Sequence, residues 1–152
     1  MEVTGRQYVV FSLQNQLVAL TIEEVLEIIQ LKKMTEVPGV ANYILGMINL
    51  RGSIIPVVSL HNRYRINEFA VTKRSRIVVV QFVNESIGLL VDEVKMVTFI
   101  ENTNISPTLK EFDVLEKECF KGFAKVNDKL IGILNLEKLL FPEAKQEGIA
   151  YD

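Results

Sequence analysis

The stretch Tyr8-Val9-Val10-Phe11-Ser12-Leu13-Gln14-Asn15-Gln16-Leu17-Val18-Ala19-Leu20-Thr21-Ile22-Glu23-Glu24-Val25 has a counterpart 69 residues further on (counting from Tyr8 to Ile77). That counterpart is Ile77-Val78-Val79-Val80-Gln81-Phe82-Val83-Asn84-Glu85-Ser86-Ile87-Gly88-Leu89-Leu90-Val91-Asp92-Glu93-Val94, aligned without a gap. Each copy reads as a β-branched run, a short polar turn and a returning apolar run, which is the signal of a hairpin. Valine-rich hairpins resemble one another cheaply. Here the turn asparagines Asn15 and Asn84 fall in register too, and so do the acidic pairs Glu23-Glu24 and Asp92-Glu93. The pattern points to a chain built from two copies of one β-rich unit.

A second match supports this. Shifted by 76 residues (from Gly46 to Gly122), Ile54-Ile55 meets Leu130-Ile131 and Val57-Val58 meets Ile133-Leu134. Units of this size bury too little surface to be stable alone, so the two are expected to pack on each other and bury a joint face. The approximate halves are 8–70 and 76–141. Between the matched segments, Glu23–Gln30 (EEVLEIIQ) suits either a helical turn or a third strand. Ile44–Leu60 reads as a hairpin turning at Arg51-Gly52-Ser53. Pro56 in its return strand lacks a backbone donor and suits an edge or a bulge. Residues 61–75 link the halves and carry a basic cluster, Lys73-Arg74-Ser75-Arg76, most simply a solvated loop. Asn135–Phe141 reads as a short amphipathic helix with Asn135 as cap and Pro142 as stop.

Composition excludes several classes. The 152 residues are 49% hydrophobic and 24% charged with a net charge of −2, which is globular and gives no electrostatic reason for binding nucleic acid or an anionic membrane. A single histidine, His61, and a single cysteine, Cys119, provide neither a metal-ligand cluster nor a disulfide, so no metal and no cofactor are expected. Cys119 reads as a packed small hydrophobe and His61 as a loop residue. Glycines are scattered singly, without a phosphate-binding array, and in strands they mark bulges or bends. The acidic pairs are expected to face solvent. No catalytic constellation is visible, and tryptophan is absent. Neither a leader nor an apolar run long enough to span a bilayer is visible, so a cytoplasmic protein without membrane insertion is expected. Protein–protein binding remains.

The run Tyr43-Ile44-Leu45-Gly46-Met47-Ile48-Asn49-Leu50-Arg51-Gly52-Ser53-Ile54-Ile55-Pro56-Val57-Val58-Ser59-Leu60 resembles the signature of CheW-like domains, G-x-x-N-L-R-G-x-I-x-P-V-x-D-L. Val25–Ile29 looks like the family's V-x-E-I segment, Val37-Pro38 its V-P loop and Gly88–Val94 its G-x-x-V-D-x-V segment. Phe120-Lys121-Gly122 and Leu134–Leu140 match its end. The resemblance covers roughly Gln7–Phe141, with Ser59 standing where the family usually has an aspartate that makes a local capping hydrogen bond.

The resemblance implies a mainly β fold in which two SH3-like five-stranded β-barrels pack on a shared core, with a short C-terminal helix. Residues 1–152 would form a single CheW-like domain, the chain crossing between its halves. The implied role is a non-enzymatic adaptor in bacterial chemotaxis. It would couple chemoreceptors (methyl-accepting chemotaxis proteins) to the regulatory domain of the histidine kinase CheA, at receptor arrays, and be monomeric when isolated. Positions matching the family's receptor-contact or coupling sites are Val25, Glu27, Gly46, Arg51, Val94, Val97 and Gly122. Val25, Val94 and Val97 are expected in an apolar groove, with barrel core as the alternative. Arg51 is expected to hold the groove's shape, and the two glycines to satisfy backbone geometry. Phe112 is a candidate for kinase contact. Competing readings are an adaptor of a non-flagellar chemosensory system and a small ligand-binding β-barrel.

Overall fold

The computed structural model describes residues 4–40, 43–60, 71–107 and 119–140. The strands are β1 (Gly5–Leu13), β2 (Gln16–Thr21), β3 (Val25–Gln30), β4 (Ile44–Leu50), β5 (Ser53–Ser59), β6 (Arg76–Phe82), β7 (Glu85–Val91), β8 (Glu93–Glu101), β9 (Ile105–Ser106), β10 (Phe120–Val126) and β11 (Lys129–Leu134), followed by helix α1 (Leu136–Leu140). Asn135 caps that helix, its side chain accepting the Lys138 N–H at 3.1 Å. Pro142, His61 and Phe112 lie outside the described residues.

Two sheets form, in the orders β8-β1-β2-β11-β10-β9 and β3-β6-β7-β5-β4. Each closes on itself. In the first, β9 follows β8 through a single 3-10 turn, Asn102–Asn104, so the two ends of the strand order are joined by the chain. In the second, Thr35 lies just beyond β3 and bridges Met47 of β4 through two backbone bonds of 2.9 and 2.8 Å. These are the two expected small barrels, the first carrying the two-residue β9 as a sixth strand.

Alternation along the strands sorts the side chains into three cores. Tyr8 and Val10 of β1 point into the first barrel with Ala19, Ile100, Ala124, Ile131 and Ile133. Ile77 and Val79 of β6 fill the second with Ile48, Ile55, Val57 and Leu90. The intervening residues Val9, Phe11 and Leu13 of β1, and Val78 and Val80 of β6, meet in a third core between the barrels, joined by Val18, Leu20, Leu60, Leu89, Val91 and Cys119. This is the joint face that the small size of each unit demands, and it consumes the apolar residues on both faces of β1 and β6.

The fold decides four local readings. The segment 23–30 is both of its alternatives in succession: a 3-10 turn, Ile22–Glu24, feeds β3. Pro56 occupies an inner strand, not an edge, and stands next to the bulge of the β4–β5 ladder, which falls between the pairs Gly46–Val57 and Ile44–Val58. Met47, directly opposite, gives both backbone groups to Thr35, so Pro56 forms a non-hydrogen-bonded pair with it. The missing donor of Pro56 then faces β7 just ahead of Val57, where the parallel ladder starts. The acidic pairs are not merely solvated. Glu24 accepts the Thr21 N–H at 3.0 Å and the Thr21 hydroxyl at 2.9 Å. Asp92 accepts the Gln14 N–H at 2.6 Å. Both carboxylates brace the places where the chain passes from one barrel to the other. Of the basic cluster, Lys73 and Arg74 are exposed, while the Arg76 guanidinium donates to the Lys73 and Ser75 carbonyls at 2.8 Å each.

Four two-residue hairpin turns use left-handed backbone, which matches strand twist. Three place Gln14-Asn15, Arg51-Gly52 and Asn127-Asp128 there; in the fourth, Val83 has φ 59°. A β-branched residue is strained in that region by about 1–2 kcal/mol, and glycine is what a turn with only its first central residue left-handed prefers. Allowing for the unfolded-state entropy of glycine, Val83→Gly is expected to raise stability by about 0.5–1 kcal/mol, read as a higher urea midpoint at unchanged slope.

Candidate functional site

β3 and β8 are the equivalent strands of the two repeats, and they hold four of the seven positions singled out for coupling. Val25 opens β3 and Val94 lies at the start of β8; both are half-buried and pack against the core between the barrels. In the ladders, Val25 faces Val80 and Val94 faces Phe11, both members of that core. Three residues along, Ile28 faces Val78 and Val97 faces Val9. These two are exposed, Val97 at 59% and Ile28 at 38%, so the apolar face that glues the barrels together runs out to solvent along both strands. Ile28 was not singled out by sequence; its equivalence to Val97 in the duplication was the available signal.

Glu27 and Arg51 are brought together from 24 residues apart. The Arg51 guanidinium grips the Glu27 carboxylate with both terminal nitrogens, Nη1 on Oε2 and Nη2 on Oε1, the latter at 3.0 Å. The hydrogen bond from Arg51 holds the Glu27 carboxyl below its usual pKa, and the same bond raises that of Arg51. Arg51 sits in the left-handed turn between β4 and β5, and Asn49 Oδ1 accepts the Gly52 N–H at 3.0 Å, so the turn itself is tied. The pair ties this turn to β3 across one end of the second barrel.

Gly46 and Gly122 lie in different barrels at equivalent places, each at a bulge in its ladder. A methyl group on Gly46 would stand 2.8 Å from the Thr35 carbonyl oxygen, and one on Gly122 would stand 2.9 Å from that of Ser106 and 2.5 Å from the Ile105 side chain. Both glycines therefore admit the strand segment that closes their barrel.

The barrel ends differ in chemistry. Because β5 and β7 run parallel with Val57 facing Gly88, the Arg51-Gly52 and Val83-Asn84 turns lie at one end of the second barrel. Around the ion pair stand exposed Leu26, Ile54 and Val83, the last two at 63% and 74%. The equivalent positions of the first barrel are Lys95, Leu130 and Gln14, with Met96 and Asn127 in place of Glu27 and Arg51. The duplicated scaffold thus presents one apolar end with an ion pair and one polar end. Column-by-column comparison of the repeats carries this signal. A polar cleft of about 300 Å³ near the first barrel's crossover, lined by Ser12, Asn15, Thr72, Arg74, Asp92, Glu93 and Lys95, has its charges engaged with one another in part: Lys95 pairs Glu93 at 3.3 Å. Among the described residues there is no group of three or more His, Cys, Asp or Glu side chains placed to hold a metal ion.

Two fused small barrels with a joint core, an apolar seam reaching solvent and unlike ends define a class of β-barrel binding domain. The chain belongs to the CheW-like domain family, whose model matches residues 7–142. It is 28% identical to the chemotaxis protein CheW of Bacillus subtilis over 96% of this chain and 94% of that one. It is 31% identical to the chemotaxis protein CheW of Thermotoga maritima, covering 91% and 90% respectively. The solved structure of the scaffolding protein TtCheW from Thermoanaerobacter tengcongensis superposes with a TM-score of 0.81 at 36% identity, over 91% of this chain and 89% of that one.

Arg51→Ala is expected to return the Glu27 carboxyl to its ordinary titration range, with Arg51→Lys recovering only part of the depression because a point charge replaces a bidentate fork. The pair stabilises the fold at pH above the unfolded carboxylate value, and that contribution is lost as pH falls through the lowered value. Side-chain carboxyl NMR titration of Glu27 checks this. Gly46→Ala and Gly122→Ala are each expected to lower the melting temperature by several degrees, since the Thr35 backbone must give way at the first and both the Ile105 side chain and the Ser106 backbone at the second.

Proposed function

We propose that this chain is a non-enzymatic, cytoplasmic adaptor of a chemosensory pathway, coupling chemoreceptor tips to the regulatory domain of the histidine kinase CheA. The carrying observation is its membership of the CheW-like family over residues 7–142. Three further features support the reading. The relatives it resembles are named chemotaxis proteins, and its solved relative is described as a scaffolding protein. Its described part offers exposed apolar seams on a rigid scaffold. No helix among the described residues is long and apolar enough to cross a membrane.

The proposed mechanism uses the two surfaces differently. Helical receptor tips bury their apolar faces where the joint core reaches solvent, contacted by Val25 and Ile28 along β3 and by Val94 and Val97 along β8. Glu27 and Arg51 fix the position of β3 beside that seam by fastening it to the β4–β5 turn. Gly46 and Gly122 act indirectly, by allowing the barrels to close. The apolar end with Leu26, Ile54 and Val83 is assigned to the kinase regulatory domain, and Phe112 remains a kinase-contact candidate. The whole chain works as one CheW-like unit. Contacts of this kind are individually modest and gain strength from avidity in an array, so the isolated chain is monomeric.

In a reconstituted assay with cognate CheA and receptor-bearing membranes, this protein is expected to raise receptor-dependent autophosphorylation, and attractant to reverse the rise. Unchanged kinase activity with folded, cognate components overturns the coupling role. Val25→Lys, with its β-sheet circular dichroism intact, is expected to weaken receptor binding about tenfold or more, as burying a charge in an apolar contact does. Undiminished binding by the folded variant sinks the seam assignment. Light scattering is expected to give a monomer mass at micromolar concentration.

A further inference from the structure

We propose that Lys32 is a positioning residue of the apolar barrel end: by fastening the Asn49 carbonyl it fixes the turn that carries Arg51, so that the Arg51–Glu27 pair is presented to a partner in one arrangement. The inference deepens the proposed function and rests on it for the partner, the kinase regulatory domain assigned to that end. Lys32 lies in none of the segments that resemble the family signature.

β3 and β4 are the two edges of the second sheet, and no ladder joins them. Three ties cross between them instead, and their reach grows toward the Arg51-Gly52 turn. Thr35 bridges Met47 backbone to backbone. Lys32, two residues past the end of β3, extends its side chain to the Asn49 carbonyl, Nζ donating at 2.6 Å. Glu27 and Arg51 then meet side chain to side chain. Asn49 is the root of the turn, since its own Oδ1 accepts the Gly52 N–H at 3.0 Å while its carbonyl takes Lys32. One residue thus connects the lysine to a turn whose two central residues are both left-handed, with φ 52° at Arg51 and 87° at Gly52. That backbone is unfavourable for arginine, so the turn needs to be held from outside. The charge of Lys32 also reaches Glu27, whose carboxyl is lowered first by the Arg51 hydrogen bond and then, more weakly, by the charges of Arg51 and Lys32.

Barrel closure does not require the two side-chain ties. The first barrel closes by pairing Ile105 and Ser106 with Ala124 and Phe123, where Ser106 and Phe123 correspond to Thr35 and Met47. Its equivalents of Lys32 and Asn49 are Glu101 and Lys125, both exposed, and those of Glu27 and Arg51 are Met96 and Asn127. Among the described residues no side-chain hydrogen bond or ion pair joins either couple. The side-chain ties therefore accompany the end that carries exposed Leu26, Ile54 and Val83. An exposed lysine contact adds little to global stability. Holding a surface turn in one arrangement, by contrast, removes an ordering cost that binding would otherwise meet.

The test compares Lys32→Met and Lys32→Arg with the unmodified chain, all three checked for unchanged circular dichroism. In Lys32→Met the Arg51 Nη protons are expected to exchange with water about threefold faster or more by NMR, and the isolated CheA regulatory domain to bind about twofold to tenfold more weakly, the range that one hydrogen bond covers. Lys32→Arg still donates to the Asn49 carbonyl and is expected to keep both close to the unmodified values. In about 0.5 M sodium chloride, where the charge of Lys32 on Glu27 is screened, the difference in Arg51 exchange is expected to persist. A difference that vanishes in salt reduces Lys32 to a charge effect and overturns the inference. Lys32→Met with unchanged Arg51 exchange, or with unchanged binding, overturns it too. An unmodified chain that fails to bind the regulatory domain overturns the proposed function instead, and Arg51 exchange alone then decides whether Lys32 positions the turn.

Discussion

The burial of β1 and β6 on both faces is the constraint on which the rest of the structure depends. Tyr8 and Val10 are required inside one barrel and Val9, Phe11 and Leu13 outside it, so β1 has no face left for water. The same holds for β6, through Ile77 and Val79 on one side and Val78 and Val80 on the other. A small barrel with an apolar outer face is insoluble alone, and a second one carrying the same face is its natural cover. Each fully buried aliphatic or aromatic side chain contributes roughly 1.5–3 kcal/mol, so the joint core is too large a share of the stability for one barrel to stand without the other. Strand exchange reinforces this by making each barrel's wall from both repeats.

The hairpins were legible in the sequence because their information is local. β-branched runs around Gln14-Asn15 and Arg51-Gly52 specify strand, turn and return within a dozen residues, and Asn135 specifies its own helix start. The pairing partners of β3 and β8 were not legible. Nothing in Val25–Gln30 distinguishes a place beside β1 from one beside β6, since Val9 and Val78 present the same surface to it. Crossing is settled by the short connectors Ile22–Glu24 and Asp92, which are braced by carboxylates whose partners are backbone N–H groups invisible to side-chain patterns. Pro56 misled for a related reason. A strand can hold a proline internally when the vacant position falls outside its ladders, and that depends on where the parallel ladder with β7 begins.

The candidate site divides along the same line. Val25 and Val94 were recognisable as a pair because the duplication superposes them, and the structure sets both against one core. The grip of Arg51 on Glu27 needed the fold, since 24 residues and a whole hairpin intervene. The two glycines were read as sites by motif and as geometry by physics. Their Cβ positions favour geometry, because a carbonyl oxygen of the segment that closes each barrel, Thr35 or Ser106, already stands there. Barrel closure therefore accounts for glycine at both positions, and it is a requirement on any surface built from these strands.

A duplicated fold starts with two equivalent seams and two equivalent ends, and equivalent surfaces bind equivalent partners. An adaptor joining two unlike partners needs that symmetry broken without disturbing the scaffold that enforces it. The substitutions that break it here fall at exposed or rim positions: Leu26 against Lys95, Val83 against Gln14, and the Glu27–Arg51 pair against Met96 and Asn127. The cross-repeat ladders and their bulges stay matched, because each of them supports both barrels at once and a change on one side would be felt on the other. The strained backbone at Val83 fits the same logic. A left-handed valine at the most exposed apolar position of the described residues weakens the fold slightly and gives the second barrel's end a side chain that its counterpart lacks. At these positions divergence falls where the cross-repeat ladders leave it free.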